Sequence, residues 1–138
     1  MHAPLAHLTL KDCLVSKRFW HMFSMLVFSI SFSYFMKPSF KNYGSTKFND
    51  DSFLTVTSAA AFFTASISRF LWGTAHDFVG FKACYATMLI LQITAALLIE
   101  YVTWSKVLYF IVIMFIFVCE GGHFVIFPSL AVATYGPT

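Results

Sequence analysis

RFLWGTAHDFVGFK, residues 69–82, places Arg69, Asp77 and Lys82, with Gly73 and Gly80, between two long apolar stretches. An isolated charge in hydrocarbon costs several kcal/mol, so charges beside lipid-length segments require protein partners or a membrane-water boundary. The stretch therefore reads as a short polar hinge between two spans.

Composition agrees with that reading. The 138 residues are 59% hydrophobic and 11% charged, against roughly 25% charged in soluble domains, which assigns the chain to a bilayer. A span needs roughly 20 apolar residues. Four segments approach or exceed this: Phe19 to Met36, Phe53 to about Ala75 with Arg69 inside it, Ala83 to Ile99, and Val107 to about Tyr135 with Glu120 inside it. With flanking residues whose long side chains snorkel, helices are expected over about 10–36, 53–76, 82–101 and 105–135. The fold class is an all-α membrane protein with four transmembrane helices in a single domain.

Residues 37–52 are expected to form a loop, because Pro38 disfavours helix at Lys37 and an Asp or Ser before Phe53 is an ordinary N-cap. The short connection from Glu100 to Lys106 predicts that the third and fourth helices are antiparallel neighbours. Leu8 to Arg18 is a basic lead-in to the first helix. The first apolar run reaches spanning length and no small-residue cleavage site follows a short apolar core, unlike a cleaved signal.

Charge and cysteines exclude some classes. A net charge of +3 is too small and dispersed to argue for nucleic acid. Cys13, Cys84 and Cys119 have no CxxC spacing, and no metal or cofactor is expected. With the N-terminus inside, Lys11, Lys17, Arg18, Arg69 and Lys82 face Lys37, Lys41, Lys47 and Lys106 across the membrane, a balance that leaves orientation undecided. No HExxH, GxSxG or P-loop occurs, which argues against an enzyme.

Ala61, Ala65, Arg69, Gly73 and Asp77 follow one another at i, i+4 and are expected roughly on one helix face. Small residues at that spacing permit close helix packing or leave room for a substrate. Arg69 lies about 12 Å along the axis from Asp77. Its guanidinium either snorkels to an interface or binds a carboxylate bidentately. In the fourth segment Glu120 and His123 flank Gly121-Gly122, with Pro128 beyond. A glycine pair before a proline loosens a helix where it lines a cavity. Glu120 and His123 read either as a proton-coupling pair or as a helix-pairing polar site.

Gly73-x-x-x-Asp77-x-x-Gly80-x-Lys82 is similar to the loop signature of the major facilitator superfamily. Arg69-Phe70-x-x-Gly73, and Gly121-Gly122-x-Phe124-x-x-Phe127-Pro128 followed by Tyr135-Gly136, resemble the oxalate/formate antiporter and monocarboxylate transporter branch. Phe78 and Phe81 stand where the family commonly carries basic residues. The resemblance implies helices seven to ten of a twelve-helix secondary transporter, so that this chain is a fragment whose partners are lipid and the missing helices or another membrane protein. It implies Arg69 as the anchor for a small carboxylate, and Gly73, Asp77, Gly80 and Lys82 as a cytoplasmic gate loop with a charge network. The alternative expectation is a non-transporting four-helix membrane protein that acts through helix association.

Overall fold

The computed structural model describes residues 10–136; the start of the basic lead-in, Leu8 and Thr9, lies outside the described residues. The described chain is helical: α1 (Leu10–Val15), α2 (Lys17–Phe48), α3 (Asp51–Leu98), a 3-10 turn (Tyr101–Trp104) and α4 (Lys106–Tyr135). Three helices, α2, α3 and α4, are long and apolar enough to cross a membrane.

α3 would be about 72 Å long if straight, at 1.5 Å per residue. It is broken at Gly80, whose φ of 80° and ψ of 169° lie in a region open essentially to glycine alone. The limbs on either side, 51–79 and 81–98, run in opposite directions along α4. In the first limb the order of contacts rises with α4: Phe62 meets Phe117, Trp72 donates to the Val118 carbonyl, and Gly73 lies against Val125. In the second it falls: Phe81 meets Phe127, Tyr85 meets His123, and Met88 lies against Gly122. The hinge expected within residues 69–82, between helices over about 53–76 and 82–101, is thus a reversal at a single residue, Gly80.

α2 also runs antiparallel to α4, with Tyr34 on Phe124, Lys37 on Glu120 and Phe40 on Phe117. α4 is the central helix. The most apolar window of α4 is 61% buried, against 17% in α2 and 22% in α3. Its buried Tyr109, Ile113, Ile116 and Phe117 form one core with Phe40, Leu54 and Ala61; a second core joins Cys84, Met88, Cys119, Ile126 and Phe127.

The expected loop over 37–52 is corrected. α2 continues through Pro38 to Phe48, and only Asn49 and Asp50 separate it from α3. Pro38 removes one backbone bond and disfavours helix at Lys37, but tertiary packing outweighs that loss. Phe40 and Gly44 beyond it are buried, and the Tyr109 hydroxyl donates to the Phe40 carbonyl at 2.6 Å. A side chain at position 44 would meet Leu54 at 2.5 Å, so this segment is held closely against α3 and α4. Asn49 ends α2 in the left-handed conformation, and the Asp50 carboxylate accepts from the Phe53 N–H at 3.0 Å as the cap of α3.

The first expected helix is likewise divided. Ser16, in extended conformation, separates α1 from α2, so residues 10–36 are not one helix. α4 also runs unbroken through Gly121-Gly122 and Pro128, which corrects the expectation of a loosened helix. The glycines serve close approach instead. A Cβ on Gly121 would lie 2.5 Å from the Ala65 carbonyl, and one on Gly122 would lie 2.7 Å from the Trp72 ring. The pair seats α4 between the two limbs of α3.

Candidate functional site

Four residues on the inward face of α2 and its neighbours make a polar line inside the bundle. Ser29, Ser33 and Lys37 follow one another at i, i+4 on α2, and Gln92 of the second α3 limb donates to Ser33 Oγ at 3.0 Å. Ser29, Ser33 and Gln92 are buried. One turn beyond Ser33, Lys37 Nζ lies 2.5 Å from Glu120 Oε1. Glu120 is almost wholly enclosed, at 3% side-chain exposure, while Lys37 keeps 30%. The ammonium is also 5.3 Å from the Tyr34 ring centre and 5.8 Å from that of Phe62, so aromatic faces supply part of its electrostatic environment.

His123, one turn along α4, is fully buried. Its Nδ1 is 2.7 Å from the Cys119 carbonyl; a carbonyl only accepts, so Nδ1 carries the proton and Nε2 of the neutral ring is a lone-pair acceptor. The ring stacks on Phe127 at 6.1 Å and meets Tyr85 edge-on. Glu120 and His123 are therefore both interior, but each has its own partner and no hydrogen bond joins them. Glu120 Oε2 and His123 Nε2 are buried without a hydrogen-bond partner among the described residues. Chemically the two atoms are acceptors able to take a proton or a donor group.

The partner of Glu120 is the residue that sequence reasoning missed. From the sequence, Lys37 reads as a residue flanking the first span that snorkels to the interface, at the start of the expected loop. The signal that identifies it is the polar spacing Ser29, Ser33, Lys37 inside an apolar run, which places the lysine on the inward face once α2 is allowed to continue.

Arg69 occupies a different side of the molecule. The buried seam of the first α3 limb is Leu54, Thr57, Ala61, Ala65 and Ser68. Rows at i, i+4 drift about 40° per step around an α-helix, so Arg69 departs from the seam that Ala61 and Ala65 occupy and is exposed. Its guanidinium carbon lies 5.4 Å from the Phe124 ring centre. Arg69 lines a cavity of about 440 Å³ with Ser66, Phe70 and Val125. No carboxylate is in that lining, and Arg69 forms no ion pair among the described residues.

The expected gate residues converge only in part. Gly73 lets Val125 approach to 3.4 Å of the position a Cβ would take, and Gly80 makes the reversal. Asp77 is exposed and lies 3.8 Å from His76 Nδ1. Among the described residues no ion pair joins Asp77 to Lys82; Lys82 instead lines a groove with Lys17 and Arg18 of α2.

At the opposite end of the bundle, Lys106 Nζ is 2.5 Å from Asp50 Oδ2 and Lys41 Nζ is 3.0 Å from Asp51 Oδ1. The Lys106 hydrogen bond and the Phe53 N–H hold the Asp50 carboxyl below its ordinary range.

Comparison of the chain with protein-family models, with curated proteins and with solved structures gives no match.

Proposed function

We propose that the chain is a membrane-embedded helical unit with four spans, α2, the two limbs of α3, and α4, and that it belongs to a secondary transporter for small carboxylates. The observation that carries this reading is Arg69: a guanidinium supported on the Phe124 ring, beside a cavity whose lining has no acid. A cation–π contact at that distance leaves the N–H groups of the guanidinium available for bidentate contact with a carboxylate. The resemblance of residues 69–82 and 121–136 to the oxalate/formate and monocarboxylate branch supports the same substrate class. In this proposal the helices that complete the transporter stand against the exposed Phe62, Phe63 and Phe70 side of α3. Glu120 and His123 are its groups for proton coupling.

The reading of a four-helix protein acting through helix association draws less support from the packing. Its natural contact surface is the small-residue face, and Ala61, Ala65, Gly121 and Gly122 are already used between α3 and α4.

The experiment is uptake of labelled oxalate, formate and lactate by vesicles that contain the full-length protein. Arg69→Ala is expected to abolish carboxylate uptake while the protein still inserts, and Arg69→Lys to retain charge but lose the bidentate contact and most of the rate. Uptake that is unchanged in Arg69→Ala overturns the assignment.

A further inference from the structure

The groove where α2 begins, α3 reverses and α4 ends shares only Lys82 with the residues that the transport reading invokes. Its lining brings Lys17, Arg18 and His21 from the first turns of α2 together with Lys82, two residues past the Gly80 turn. Met22, Met25, Phe81 and Leu130 supply its apolar wall, and the cavity measures about 670 Å³. Lys17, Arg18, His21 and Lys82 are all exposed.

Three features make this more than a scatter of surface lysines. The cations come from segments more than sixty positions apart in the chain and meet only because α3 doubles back. No carboxylate lines the groove, and Lys17, Arg18 and Lys82 form no ion pair among the described residues. At the other end of the bundle Lys41 and Lys106 are each neutralised by an aspartate. Like charges gathered in a groove whose lining holds no carboxylate repel one another, and an anion that enters the groove relieves that repulsion.

We infer that this groove binds the headgroup phosphate of an anionic phospholipid, with Lys17, Arg18 and Lys82 around the phosphate and an acyl chain along Met22, Met25, Phe81 and Leu130. The inference rests on the membrane reading of the chain. A soluble anion would be served by the charges alone, whereas the groove sets an apolar wall beside them, and basic pockets between helices at a membrane surface suit such headgroups.

The test uses the purified full chain in phosphatidylcholine-detergent micelles, with thermal stability followed as phosphatidylglycerol is added. Phosphatidylglycerol is expected to raise the melting temperature, and Lys17→Gln, Arg18→Gln and Lys82→Gln each to weaken its apparent affinity roughly fivefold. Lys47→Gln, a cation outside the groove, is expected to titrate like the parent. Variants that titrate like the parent at all three positions overturn the site. An equal effect of phosphatidylcholine overturns the anion preference, and an equal effect of glycerol 3-phosphate overturns the lipid in favour of a soluble phosphate. Should a variant not fold, salt titration of the parent replaces it: a phosphatidylglycerol effect that salt leaves intact overturns the electrostatic basis. Release of the chain from membranes by alkaline carbonate overturns the membrane reading itself, a separate outcome from any of these.

Discussion

Lys37–Glu120 and Lys106–Asp50 are both lysine–carboxylate pairs at a 2.5 Å separation, yet they occupy opposite environments. Glu120 is enclosed at mid-helix in α4, with 3% of its side chain exposed; Asp50 sits at a helix cap with 35% exposed. In the enclosed pair, the Glu120 carboxylate depends on Lys37 because no water replaces a lost partner at its buried oxygens. In the edge pair, solvent takes over when the partner is removed. Distance alone therefore says little about what a salt bridge contributes; enclosure decides.

The comparison breaks first at Lys37. Lys37→Met leaves the Glu120 carboxylate buried and uncompensated, with an expected loss of about 3–5 kcal/mol, read as a lowered unfolding midpoint in mixed micelles. Lys37→Met combined with Glu120→Leu is expected to recover most of that loss, since an apolar pair of similar volume needs no counter-charge. A double variant as unstable as the single one would show that the pair is not what Lys37 supports.

Gly121→Ala sharpens the comparison from the packing side. The added methyl would lie 2.5 Å from the Ala65 carbonyl, forcing α4 away from α3 beside Glu120, at an expected cost of about 1–3 kcal/mol. Gly73→Ala meets only a Val125 methyl at 3.4 Å and is expected to be close to neutral in the same unfolding assay.

Lys106→Met tests the edge pair directly and is expected to shift the midpoint by a small fraction of the Lys37→Met effect. Asp50 adds a pH signature. Its carboxyl is held below the ordinary value in the folded chain, so the unfolded chain takes up a proton first as pH falls. The stability this contributes is fully present above about pH 3.9, the unperturbed aspartate value, and is lost as pH drops through the lowered folded value. Asp50→Asn is expected to flatten that acid limb in a pH series of unfolding midpoints.

α4 was the most legible element: an apolar run expected over 105–135 folds as Lys106–Tyr135, because a long hydrophobic stretch has few alternatives. The position of the reversal in α3 was also legible from Gly80 and its charged neighbours, although its sharpness was not. α2 was misread past Met36, since local sequence shows what Pro38 removes but not what Tyr109 and Leu54, far along the chain, provide. That error carried the site with it. Lys37 assigned to a loop cannot meet Glu120, and Glu120 then turns to His123 for a partner. Arg69 was identifiable as a charge beside lipid-length segments, whereas its departure from the Ala61–Ala65 seam follows from helix periodicity and was available from the start.

The reversal at Gly80 also decides where the chain is open to attack. A protease or an inserted tag needs an exposed stretch of extended backbone, and a turn confined to one residue between helical limbs offers none. Asn49 and Asp50 offer scarcely more, with Asn49 bonded to Ser45 and Asp50 to Phe53. Among the described residues the longest connection between the long helices is 99–105, which includes the exposed Tyr101 and Trp104. Among the described residues, the longest connection open to a protease between the long helices thus lies at the end of the bundle opposite Gly80.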